Sequence, residues 1–165
     1  MRLILGIAVI AVMGLSACEN GAVTERSFTS EVLEGLSGNG MAYIRKVRKT
    51  DDFQRILDEI AGGNGLIIDN IYLMRPELND AEENAVRHAL SHALKVKPQK
   101  VLALLPAHYG FDEVCGIPGT VEQGNREAFA QEAISALTSM EVRFNARQKN
   151  RCINGLEKMQ TTLSS

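Results

Sequence analysis

Two imidazoles one helical turn apart are the residues that first invite metal chemistry. His88 and His92 stand at i and i+4, a spacing that lets both rings reach one ion if the segment is helical. A metal-binding protein or an enzyme would use them this way, with a third ligand from elsewhere. Position 89 is alanine, so the glutamate of a His-Glu-x-x-His protease is missing. On a helical wheel both histidines fall away from Val86 and Leu90, beside Ala81 and Ala85. That placement also suits a plain boundary face turned toward a neighbouring helix. Hence no metal site and no catalytic residue is assigned, and His88 and His92 stay as candidates only.

Other constellations point away from catalysis. Acids pair at Asp51-Asp52, Asp58-Glu59, Glu82-Glu83 and Asp112-Glu113, but neighbours on a helix diverge and read as solvated faces or dipole partners. The stretches Gly38-Asn39-Gly40 and Gly62-Gly63-Asn64-Gly65 follow no credible strand, so they are not phosphate loops. No cofactor is expected. The loop His108-Tyr109-Gly110-Phe111 offers two aromatics. If the loop is rigid and displays them, His108, Tyr109 and Phe111 are anchors for a protein partner. If they turn under it, Tyr109 and Phe111 make a small satellite core. The basic run Arg45, Lys46, Arg48 and Lys49 is either a solvated helix face or a contact for anionic headgroups.

The N-terminus carries an address. Arg2 precedes an apolar run from Leu3 to Leu15, 13 residues long. A spanning helix needs about 20 apolar residues, so the run fits the core of a secretory signal better. Leu15-Ser16-Ala17-Cys18 follows and resembles the lipobox of bacterial lipoproteins. The resemblance implies a signal peptide over 1–17 and lipidation of Cys18, the palmitate-bearing anchor of the mature chain. It implies residence in the cell envelope, on the periplasmic face of a membrane. Glu19 in place of aspartate favours the outer one slightly. The competing readings are an ordinary secretory signal with an incidental cysteine, or an uncleaved anchor.

With Cys18 acylated, two of the three cysteines remain, Cys115 and Cys152. An even number in an oxidising compartment predicts a Cys115–Cys152 disulfide. The alternative is two free buried thiols. No Cys-x-x-Cys pair supports zinc.

These groups sit on elements that the hydrophobic spacing lays out. Residues 18–30 are polar and read as a flexible tether. The domain follows over 31–165. Ser30 is a cap for a short helix to Leu36. Thr50 or Asp51 caps a helix with Phe53, Ile56, Leu57 and Ile60 on one face. Leu66 to Arg75 reads as a buried helix stopped before Pro76. Asn79 or Asp80 caps the next, to about Val96, with Val86, Leu90, Ala93 and Leu94 inward and acids at its start. Pro98 opens a short apolar helix that Pro106 ends. Residues 106–120 form a long loop. Helices then run from about Val121 to Thr138, with Ala128, Phe129, Ala133, Ile134 and Leu137 inward, and from about Glu141 to Thr162, with Ala146, Cys152, Ile153, Leu156 and Met159 inward. The fold class is all-α: one compact multi-helix domain with one disulfide.

Length and balance agree. The 165 residues suit one domain, and a net charge of −2 with 45% hydrophobic residues argues against a general nucleic-acid binder. From Lys95 to Leu163 the elements Lys97-Pro98, Val101 to Leu105, Val114-Cys115 with Pro118, and Arg151-Cys152 with Leu156 are similar to helical modules of Gram-negative envelope proteins. That resemblance carries no activity and adds only to the fold and disulfide expectations. The function expected is a non-enzymatic binding or interaction module: an inhibitor or immunity protein, or an accessory subunit of an envelope machine. Its partners would be the membrane, through the lipid anchor, and an envelope protein, with no nucleic acid. The alternatives are a metal protein or enzyme using His88 and His92, and a carrier of small apolar ligands.

Overall fold

Capping side chains mark where the first helices begin. The computed structural model describes residues 27–141 and 145–163, so the expected signal peptide, Cys18 and the expected tether up to residue 26 lie outside the described residues. α1 (Phe28–Ser37) starts where the Ser27 hydroxyl accepts the Ser30 amide, three residues earlier than Ser30 as cap would place it. The last expected tether residues, Phe28 to Ser30, are therefore its first turn. α2 (Gly40–Val47) is capped by Asn39 and buries Tyr43, Ile44 and Val47. α3 (Asp52–Ala61) places Ile56, Leu57 and Ile60 inward, and Thr50 Oγ1 accepts the Asp52 amide at its start.

Gly63 ends that helix in the left-handed region, with φ 85°. A Cβ there would lie 2.9 Å from both Val96 and Lys97 side-chain carbons, so shape and φ both require glycine. Asn64 then caps α4 (Gly65–Asn70) and donates to Thr29 Oγ1 at 2.9 Å and Glu59 Oε2 at 2.8 Å.

The segment read as one buried helix to Arg75 is two pieces. α4 stops at Asn70, and Ile71–Glu77 winds on as a 3-10 helix with Pro76 inside it. Proline's fixed φ suits that geometry, so the ring does not end the segment where the α-helical rule would place the break. Ile67, Ile68, Ile71 and Met74 are all fully buried.

α5 (Asp80–Ala93) is the central helix, and both sides of a capping box are formed at its start. Asn79 Oδ1 accepts the Glu82 amide at 3.0 Å, and Glu82 Oε2 accepts the Asn79 amide at 2.9 Å. Its expected stripe of Val86, Leu90, Ala93 and Leu94 is buried. Ser91 is the polar exception, at 1% exposure. Its hydroxyl lies 3.0 Å from the Arg87 carbonyl and 2.8 Å from the Val114 carbonyl, two acceptors for its proton.

α6 (Pro98–Ala103) opens on its proline as expected. The long loop after it contains one helical turn, α7 (Phe111–Val114). A 3-10 turn over Gln123–Asn125 leads into α8 (Arg126–Ser139), which begins later than Val121. Its inward positions are Phe129, Ala130, Ala133 and Leu137, whereas Ala128 is exposed and Ile134 half-buried. α9 (Ala146–Leu163) buries Cys152 and Leu156 and leaves Ala146 and Met159 exposed.

The class is therefore all-α, with no strand among the described residues. α3 packs on α5, and α8 on α9. One mainly aliphatic core, with Tyr43, Tyr109 and Phe111 in it, runs from Val32 to Leu156, and Ile117, Phe129 and Ala130 form a small second cluster. The Cys115–Cys152 disulfide joins the end of α7 to the middle of α9. No described helix is long and apolar enough to cross a membrane.

Candidate functional site

The side of α5 that the core leaves uncovered is a trough of three linked concavities. α3 forms one wall through Gln54, Leu57 and Asp58; the loop 116–122 forms the other through Ile117, Pro118, Thr120 and Val121. The first concavity, about 240 Å³, holds Arg87, His88 and Glu113. The second, about 320 Å³, holds His88 and His92 with Asp58, Ala85 and Ala89. The third, about 370 Å³, holds His92, Lys95, Phe129 and Glu132. His88 and His92 are thus shared between neighbouring concavities, with Ala85 and Ala89 beside them. The helical wheel had placed both rings on such a small-residue face.

His92 leans its ring edge on Phe129, with centroids 5.0 Å apart and planes at 81°. Burial pushes its pKa below the ordinary value, and the nearby Lys95 and His88 push the same way. Lys95 lies 4.8 Å from the Phe129 ring centre and pairs with Glu132 at 3.0 Å. Although Asp58 shares the groove with both imidazoles, no three His, Cys, Asp or Glu side chains converge to hold a metal ion among the described residues. The pair therefore has no third ligand there.

At the other end a charge network fixes the trough. Glu83 Oε1 pairs with Arg75 at 2.8 Å and with Arg87 at 2.8 Å, and Arg87 reaches Glu113 at 3.5 Å. Burial alone would raise the Glu83 pKa; the two guanidiniums outweigh it and hold the carboxyl below its usual range. Arg48 grips Glu82 with two nitrogens, at 2.7 and 2.6 Å, and this lowers the Glu82 pKa against the opposing effect of burial. The sequence signal for this network was slight. Glu83 and Arg87 at i and i+4 are legible, while Arg75 and Glu113 arrive from distant elements.

The proposed aromatic anchors are not at the surface. Tyr109 is 1% exposed and Phe111 7%, and both belong to the main core, not to a satellite beneath the loop. His108 is half-buried, stacked on Tyr72 with centroids 4.1 Å apart. The reason lies mostly in contacts from distant segments. The turn of α7 folds the loop inward, the Arg75 guanidinium donates to the His108 carbonyl, and Cys115 ties the next residue to α9. Arg151 covers Phe111 at 4.4 Å. Burial, with Glu83 adding and Arg75 and Arg87 opposing, pushes the Tyr109 hydroxyl up to about 12. The three residues therefore make no shared partner-facing patch.

Of the other residues singled out, Cys115 and Cys152 meet as expected, and Cys18 lies outside the described residues. Comparison of the chain with protein-family models, curated proteins and solved structures finds no match.

Proposed function

We propose that the chain is a lipid-anchored periplasmic helical module that binds another envelope protein and does no chemistry of its own. The observation that carries this reading is the buried Cys115–Cys152 cross-link, which belongs to an oxidising compartment. Ahead of it stands an apolar leader ending in Leu15-Ser16-Ala17-Cys18. Together they favour export followed by acylation. The partner surface is the α5 trough. Its walls are set by a packed helix on one side and a disulfide-held loop on the other, so little ordering remains to oppose binding. Its lining mixes imidazole, carboxylate and ammonium groups with small apolar ones, the composition of a protein-facing rim.

The test combines acylation and capture in intact cells. Labelled palmitate should join the wild-type chain and not Cys18→Ala. A photoreactive residue at His88 or Thr120 should give one defined adduct with an envelope protein, and the same residue at Lys158 on α9 should not. Palmitate incorporation that ignores Cys18 overturns the anchor. Adducts that are absent, or equal at Lys158, overturn the trough as the partner surface.

A further inference from the structure

The chain enters the domain beside the basic end of α2. Ser27 opens α1 only nine residues after Cys18, a reach of at most about 30 Å. That is close to the width of a domain this size. Lys46, in the last turn of α2, pairs with Glu31, in the first turn of α1, at 2.7 Å. The end of α2 therefore lies where the chain enters. Arg45, Lys46, Arg48 and Lys49 are all exposed there. Glu31 takes Lys46 and Glu82 takes Arg48. Among the described residues no carboxylate pairs with Arg45 or Lys49. Asp51 and Asp52 follow in sequence, with Asp52 engaged by the Thr50 hydroxyl at 2.7 Å. Met41 adds an apolar side chain at 45% exposure, with Arg45 Nη2 2.7 Å from its sulfur.

We infer that this face of α2, with Arg45 and Lys49 as its free cations and Met41 beside them, docks on anionic lipid headgroups of the membrane that holds the anchor. The inference rests on the lipid-anchor reading. The short span brings this end of the domain to the surface, and the two uncompensated cations match the headgroup charge. Docking here turns α5 and its trough in a fixed direction relative to the membrane, because Arg48 and Glu82 tie α2 to the start of α5.

The full acylated chain is reconstituted in phosphatidylethanolamine vesicles containing phosphatidylglycerol, and in pure phosphatidylcholine vesicles. Flotation is scored first. Floated protein is then treated with an amine-reactive label, and the rates at Lys46 and Lys49 are read by peptide mass against exposed Lys158. Each cation near an anionic surface shifts docking by roughly fivefold. The expected result is slowing at Lys46 and Lys49 of that order with phosphatidylglycerol alone, relieved by high salt. In Arg45→Glu/Lys49→Glu, Lys46 should label at its unprotected rate while the protein still floats. Equal rates in both vesicle types, or protection unmoved by the double variant, overturn the docking face and leave the anchor standing. Protein that fails to float overturns the anchor, and this inference with it.

Discussion

The α3–α5 pair and the α8–α9 pair do the same architectural task by different physics. The first meets through branched aliphatics: Ile56 and Ile60 on one helix, Val86 and Leu90 on the other, all fully buried. The second meets through smaller groups, Ala130 and Ala133 with Leu137 and Leu156, and the disulfide braces only α9 of this pair, by tying it to the end of α7. Burying one Ile or Leu stabilises by about 1.5–3 kcal/mol, while an alanine offers far less area to remove from water. The difference teaches that α9, whose packing on α8 uses little side-chain volume, is held from its other side by a covalent tie to α7.

The largest effect should come from breaking the bond. Cys115→Ala with Cys152→Ala opens a 37-residue separation and should cost about 4 kcal/mol. Hydrogen exchange should show protection lost first in α9 and the α7 turn it is tied to, with α3 and α5 holding longest. Equal loss in both pairs would erase the contrast.

Next is Ile60→Ala, at about 3 kcal/mol. Here the denaturant midpoint should fall for all helices together, because Ile60 sits in the shared core. Loss confined to α3 would show that the pair is a unit of its own.

Asn79→Ala should cost about 1 kcal/mol by removing one arm of the α5 capping box. Unfolding by urea would register it, and no change would mean that the Arg48–Glu82 contact fixes the start of α5 unaided.

The smallest effect is in pH. The unfolded chain takes up a proton on His92 near the ordinary 6.5, whereas the folded one does so only at lower pH. Stability from this ring is therefore complete above about 6.5 and falls as the pH drops through that window. His92→Gln should flatten the dependence of unfolding free energy on pH below about 6.5. A slope unchanged in that variant would assign it to other groups.

Much of the fold was legible in the sequence, for reasons that are visible residue by residue. The 3.6-residue spacing of Phe53, Ile56, Leu57 and Ile60, and the Asn79 cap with Glu82 three residues on, are local signals that tertiary packing had no cause to override. Pro76 misled because the rule for α-helices does not govern a 3-10 turn. Ala128 and Ala130 exchanged places because a short run rich in small residues fixes the helix phase poorly. The site was less readable. The phase of His88 and His92 on α5 could be drawn on a wheel, but the opposing walls could not. The fate of Tyr109 and Phe111 turned on Arg75, more than thirty positions earlier, and no local pattern encodes such a contact.

Ser91 sets a limit on how this chain can drift. Aliphatic positions around it trade one hydrocarbon for another at modest expense. A hydroxyl with carbonyls of its own helix and of α7 in reach has no hydrocarbon synonym, since a hydrocarbon there strands an acceptor. The position acts as an alignment pin. Over long divergence the greasy interior should be rewritten many times before that one small oxygen is given up.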